Sequence, residues 1–161
     1  RNIVARWKFG CLGKLGLDRG RIVIELDRRE TPVTAMHFLE LAGQSFFKEI
    51  QFHRVVPDFV AQAGCPLGSG NGGSGDAIPC EITTGEYRRG AVGMALAGKD
   101  TGSSQFFITL SPQPHLDGGY TIFGRVSGGM DVADALLEGD RIRAVEVVWD
   151  IPWEQKQGAG Y

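Results

Sequence analysis

The chain has 161 residues and a formal net charge of −2, a size that suits one hydrophobic core better than two. Hydrophobic residues make up 42% and charged residues 22%, which excludes a disordered chain; near-neutral charge without a long Lys/Arg run argues against a nucleic-acid surface. Glycine, at 24 residues, is about twice its usual ~7% and has no collagen period, so the tight turns of a mainly-β fold are expected.

No stretch reaches the ~18 apolar residues of a membrane-spanning helix, so no membrane partner is expected. The start, Arg1-Asn2-Ile3-Val4, reads as neither signal peptide nor native initiator and predicts that the chain is part of a longer protein. Three cysteines (Cys11, Cys65, Cys80) and three histidines (His37, His53, His115) show no zinc-site spacing; neither a metal nor a cofactor is expected.

Residues 3–9 and 21–26 alternate in the strand manner and are expected to pair across a long connection, Gly10 to Gly20. Thr31-Pro32 supplies an N-cap and a first-turn proline. Ala35, Phe38, Leu39 and Ala42 then follow at helical spacing until Gly43 supplies a stop. Gln51 to Val56 has strand composition and breaks at Pro57-Asp58. The glycine-dense stretch Gly64 to Gly75 reads as a surface loop, with short strands expected at Gly93 to Ala97 and Gln105 to Leu110. In the second of these, Gln105, Phe107 and Thr109 share one face while Phe106, Ile108 and Leu110 share the other. A strand at Thr121 to Val126 follows, then a helix through Met130, Ala133, Leu136 and Leu137, and a last strand from Ile142 to Trp149. The pattern is that of an antiparallel barrel or sandwich with helices at its ends. One domain over 1–149 and a loose tail over 150–161 are expected.

Residues 68–73 satisfy G-x-G-x-x-G in form, but no helix can open at the Ser-Gly-Asp-Ala-Ile-Pro that follows, so a dinucleotide site is set aside. More informative is Phe52-His53-Arg54-Val55-Val56-Pro57-Asp58-Phe59-Val60-Ala61-Gln62, where an arginine and a glutamine interrupt apolar strands and are costly to bury unpaired. Arg54 has two readings, a structural ion pair or a binding role, and His53 alone reads as a packed core histidine. Gln105, in Ser104-Gln105-Phe106-Phe107-Ile108, adds a polar group on a Phe face, hinting at a pocket.

These segments, with Gly90-x-x-x-Met94-Ala95-x-Ala97-Gly98 and His115-Leu116-Asp117-Gly118-x-Tyr120-x-x-Phe123-Gly124, resemble the cyclophilins, in order and at family spacing, and are most like the bacterial members. The resemblance spans roughly Gly20 to Trp149. It implies a closed eight-stranded antiparallel β-barrel capped by two α-helices, and peptidyl-prolyl cis/trans isomerase activity on flexible protein segments, assisting folding. The alternative is a non-catalytic module that binds proline peptides for a larger assembly.

Rotation about an X-Pro amide is slow because resonance stiffens the C–N bond, with a barrier of about 20 kcal/mol. Catalysis must hold the ring and favour a state with a pyramidal, basic prolyl nitrogen, which is non-covalent electrostatic work. The resemblance assigns the guanidinium facing that nitrogen to Arg54, with Gln62 beside it. It gives Phe59, Met94, Phe107 and Leu116 to the ring pocket, Tyr120 to its rim, and backbone groups of Leu96 to substrate contact. Ala95, Ala97 and Gln105 fall on the neighbouring groove for residues preceding proline. His115 stands where strongly cyclosporin-binding members carry Trp, so weak cyclosporin binding is expected, and Tyr120 stands where many eukaryotic members carry His. Cys65 and Cys80 replace usual aspartates and stand either as two separate thiols or as a disulfide across the loop; a bridge requires an oxidising compartment and leans the location from cytoplasm towards periplasm. The expected partners are proline-containing polypeptides, met by a monomer.

Overall fold

The computed structural model describes residues 12–17 and 20–148. The strand expected at residues 3–9, Cys11 and the tail at 150–161 lie outside the described residues. Eight strands form one antiparallel sheet in the order β3-β4-β6-β5-β7-β2-β1-β8. They are β1 (Leu12–Leu17), β2 (Gly20–Leu26), β3 (Arg54–Val56), β4 (Val60–Ala63), β5 (Ala91–Met94), β6 (Phe106–Thr109), β7 (Ile122–Gly128) and β8 (Ile142–Val148). Helix α1 (Pro32–Gly43) packs against β8 and β7, and the short α2 (Met130–Asp134) against β2.

The first correction concerns the expected connection Gly10 to Gly20, which contains β1, paired residue for residue with β2 from Leu12↔Glu25 to Leu17↔Gly20. Glycines at 13 and 16 obscure the period, yet Leu15 and Leu17 alternate into the core, where they are fully buried. β2 shows the clean pattern: Ile22, Ile24 and Leu26 are buried while Arg21 is exposed. Register shifts at Gly16/Leu17, Val23/Ile24 and Val92/Gly93 mark bulges, which bend strands and curl the sheet. The outer strands β3 and β8 are preceded by segments that meet: Gln51 bridges Arg141, Phe52 N–H donates to Asp140 O (2.8 Å) and Ile142 N–H to Ile50 O (2.9 Å).

The concave side holds the main core, centred on Phe38 of α1, whose ring lies 5.0 Å from Phe47, 5.4 Å from Phe106 and 5.5 Å from Phe123. Burial of each such ring stabilises by about 2–3 kcal/mol before entropy is counted. α1 runs from Pro32 to the expected stop at Gly43 and departs from the sequence reading in its cap. Thr31 makes no side-chain cap; its hydroxyl donates to Asp27 O at 2.6 Å. Glu81 caps instead from 48 residues away, accepting from Val33 N–H and Thr34 N–H (2.9 Å each) and from the Thr34 hydroxyl (2.7 Å). The helix stops after Gly43, where Ser45 turns left-handed at φ 58. α2 is shorter than its apolar spacing predicts: Leu136 is buried beyond its end, and Leu137 is exposed.

Candidate active site

β3 and β4 form a tight hairpin in which Arg54 lies opposite Gln62. The reversal between them needs the left-handed Asp58 (φ 58), and its carbonyl accepts from Gln113 Nε2 (3.0 Å) and from the Ser111 hydroxyl. This pins Phe59, which sits half-buried against the cluster of Val60, Tyr87, Ala91 and Phe107, with the exposed Arg54 guanidinium 5.5 Å from its ring centre. That separation is a cation–π contact, and it orients a planar donor without using its N–H groups. Among the described residues the guanidinium makes no ion pair.

Behind the arginine a notch of about 180 Å³ is lined by Arg54, Phe59, Val60, Gln62, Ala95, Leu96, Phe107, Leu116 and Tyr120. It is smaller than a drug-sized pocket. Phe107 forms part of its lining, held between a T-shaped contact with Tyr120 (6.0 Å) and a stack with the fully buried Tyr87 (5.5 Å). Tyr87 in turn donates from Oη to Tyr120 O at 3.0 Å, and burial drives its hydroxyl pKa far above the phenol range. A Cβ on Gly93 would strike the Tyr87 hydroxyl and come within 2.5 Å of Phe107 Cζ, so only glycine leaves this aromatic stack room. His115 is exposed and tilts over Phe59 with ring centres 5.6 Å apart.

The polar side of the notch is a relay. Gln62 Nε2 donates to Gln105 Oε1 (3.0 Å), and Gln105 Nε2 donates to Gly70 O and Gly72 O (2.8 Å each). Ala95 N–H donates to Gln105 O (3.0 Å), and exposed Ala97 lies just beyond. No backbone bond among the described residues uses Leu96, which leaves its N–H and C=O available. His53, next to Arg54, has its Nδ1 buried without a partner among the described residues. Burial, then the Arg54 charge, hold its imidazole below the usual range against the opposing pull of Glu138.

One predicted residue is elsewhere. Met94 packs in the main core on the opposite face of β5, because strand side chains alternate and Met94 pairs with inward-facing Phe106. Val60 takes a place in the notch that the sequence reading missed; its i, i+2 relation to Gln62 on β4 was the available signal. Tyr87 was also missed, and being in an irregular segment it had no periodic signal. Cys65 and Cys80 are free thiols, not a disulfide. Burial raises the Cys65 pKa, but loop N–H groups of Gly72, Gly70, Leu67 and Ser69 outweigh it and hold the thiol below its ordinary value. A wider groove of about 830 Å³ crosses β7 and the 83–89 segment, bordered by ion pairs such as Arg125–Glu25 and Arg88–Glu86, and includes none of the predicted site residues.

The fold is thus a curled antiparallel sheet that carries an exposed guanidinium at the mouth of a small, partly apolar notch. The sequence matches the family model described as cyclophilin type peptidyl-prolyl cis-trans isomerase/CLD over residues 14–152. Peptidyl-prolyl cis-trans isomerase B of Bacillus subtilis is 47% identical over 133 residues, 81% of this chain and 92% of its own length. A peptidyl-prolyl cis-trans isomerase of Synechococcus elongatus is 43% identical, covering 84% of this chain and 95% of its own. The crystal structure of a Cryptosporidium parvum cyclophilin type peptidyl-prolyl cis-trans isomerase superposes with a TM-score of 0.80 at 30% identity, over 89% of this chain and 99% of that one. A second structure of that protein, in the presence of the dipeptide Ala-Pro, gives a TM-score of 0.75 at 30% identity over 88% and 98% of the two chains. The chain therefore belongs to the cyclophilins and is a peptidyl-prolyl cis-trans isomerase.

Proposed function

We propose that Arg54 carries the reaction by presenting its guanidinium to the prolyl nitrogen as that nitrogen becomes pyramidal, with the proline ring seated against Phe59, Phe107 and Leu116. The observation that carries this is the guanidinium itself: exposed, held over Phe59 and without an ion pair among the described residues at the mouth of the notch. Gln62 braces the substrate carbonyl beside Arg54, and Leu96 offers its free backbone groups to the chain before proline. Ala95, Ala97 and Gln105 border the groove for the preceding residues, and Tyr120 closes the rim. Val60 joins the ring pocket in place of Met94.

The clients on this reading are proline-containing segments of flexible polypeptides, met by a monomer, with residues 1–149 as one domain. Cyclosporin binds weakly because His115 offers less apolar face than an indole. The sheet closes as a barrel at the contact of 49–52 with 139–142, which the Gln51–Arg141 bridge supports. Arg54→Ala is expected to lower kcat/KM by at least ~100-fold in a folded protein, the loss typical of one transition-state donor, and Arg54→Lys to stay poor because a point charge lacks the fork. Exchange NMR on an Ala-Pro peptide measures both; near-native turnover in Arg54→Ala would overturn the assignment.

A further inference from the structure

Two sulfurs that the reaction does not use stand behind the two walls of the groove next to the ring notch. On one wall Gln105 is clipped to the carbonyls of Gly70 and Gly72 (2.8 Å each), and Gly72 N–H donates to Cys65 Sγ at 3.2 Å. A continuous chain thus runs from a buried thiol through Gly72 and Gln105 to Gln62, the residue opposite Arg54. On the other wall Ala97 N–H donates to Thr101 Oγ1 and that hydroxyl donates to Gly98 O, both at 2.8 Å, closing a turn over 97–101. Asp100, left-handed at φ 57, fastens this turn with a two-bond clasp. Its N–H donates to Cys80 Sγ (3.3 Å), and its Oδ1 accepts from Cys80 N–H (2.8 Å).

Both walls are irregular backbone with no ladder to fix them. The first is glycine-dense, so without an anchor it would sample many conformations and Gln105 would lose both of its acceptors. A thiol is an apt anchor in such a place, since it packs as a small apolar group and still accepts a weak hydrogen bond. The two thiols are used alike: Cys65 Sγ accepts the N–H of Gly72 and Cys80 Sγ the N–H of Asp100, each from the loop segment it anchors.

We propose that Cys65 and Cys80 are positioning residues that set the width of this groove, and through it the selectivity for the residue preceding proline. The proposal rests on reading the Ala95–Ala97–Gln105 groove as the place for that residue. The test is kcat/KM for a peptide series Ala-Xaa-Pro-Phe with Xaa as Ala, Leu or Glu, measured on Cys65→Ala, Cys80→Ala and the corresponding serine variants. Each alanine variant is expected to change the ratio between Xaa peptides by about three- to tenfold, the range of one or two lost hydrogen bonds, with the change falling on KM. Serine restores an acceptor and is expected to return the ratio to within about twofold of the native protein.

Alanine variants with the native ratio, or serine variants displaced as far as alanine, would overturn the positioning role. Asp100→Gly, which keeps the left-handed backbone and removes the carboxylate, should move the ratio in the direction of Cys80→Ala even if a cysteine variant folds badly; no movement there overturns the Cys80 half. Ala97→Leu separates the two levels. If it shifts the ratio while the cysteine variants do not, the groove stands and the positioning role falls; if it too leaves the ratio unchanged, the groove assignment itself fails.

Discussion

Arg54 gains its value from what surrounds it. An arginine packed against an aromatic face keeps its N–H donors available, whereas Arg88, Arg89 and Arg125, in and around the wider groove, direct theirs to Glu86, Asp134 and Glu25. His115 packs against the same Phe59 ring, with ring centres 5.6 Å apart. His115→Trp adds apolar face and an N–H donor at the groove edge and is expected to tighten cyclosporin binding, read by calorimetry, while isomerisation changes little. Equal affinity in both proteins would show that this side chain is not at the drug's edge. Gly93 is the opposite case, a residue that acts by having no side chain. Gly93→Ala is expected to cost about 1–3 kcal/mol by overpacking and to cut kcat/KM at least about tenfold as Phe107 is displaced. Urea unfolding and a peptide assay read the two effects separately, and a stable, fully active variant would contradict the packing.

At the scale of elements, the sheet brings residues from four separate segments to one face: Arg54 to Gln62 from the β3–β4 hairpin, Ala95 and Leu96 beyond β5, Phe107 from β6, and Leu116 to Tyr120 before β7. Antiparallel register does this with few degrees of freedom, since Gly93↔Phe107 and Gln62↔Phe107 are both cross-strand pairs. The helix is tied to the same construction. Glu81 caps α1 through its carboxylate and donates its own backbone N–H to Thr121 Oγ1 (2.9 Å), next to Tyr120 of the notch. Glu81→Ala is expected to destabilise by about 1–2 kcal/mol, the usual effect of losing an N-cap acceptor, measured as a shift in urea midpoint at unchanged m. An unchanged midpoint would mean that water replaces the carboxylate without loss.

For the whole molecule, the half-buried His53 introduces an acid sensitivity. Its folded pKa lies below the ordinary 6.5, so the unfolded chain binds the extra proton more readily and stability falls as pH drops below about 6.5. Above that pH the imidazole is neutral in both states and costs nothing. His53→Gln removes the titration. The difference in Tm between pH 7.5 and pH 5.0 is expected to be smaller in this variant than in the native protein, and an identical difference would show that carboxylates alone set the acid limb. The Arg89–Asp134 pair contributes in the same direction: its carboxyl is held below the usual range by Arg89, so that contribution is lost as pH falls through the lowered value. Both partners are nearly half-exposed, so solvent screening keeps the contribution small.

The sequence by itself determined the elements with an unbroken period and the residues with unusual chemistry for their setting. β2, α1 and β6 were legible because apolar residues recur at 2 or at 3–4 with no glycine between them, and Arg54, Gln62 and Gln105 because polar groups inside apolar runs need a reason. Four motifs at family spacing then pointed to the isomerase. Only the tertiary structure decided what depends on partners distant in sequence. β1 shows its nature through the ladder with β2, since two glycines hide its period. Thr31 lost the cap to Glu81 because a carboxylate brought in by the fold offers two charged acceptors where a hydroxyl offers one. Met94 lies in the core and Val60 in the notch because which face of a strand looks outward is set by cross-strand register, which a short window of sequence does not contain. The two cysteines, close enough in sequence to suggest a bridge, are instead each used by the loop that folds back onto it.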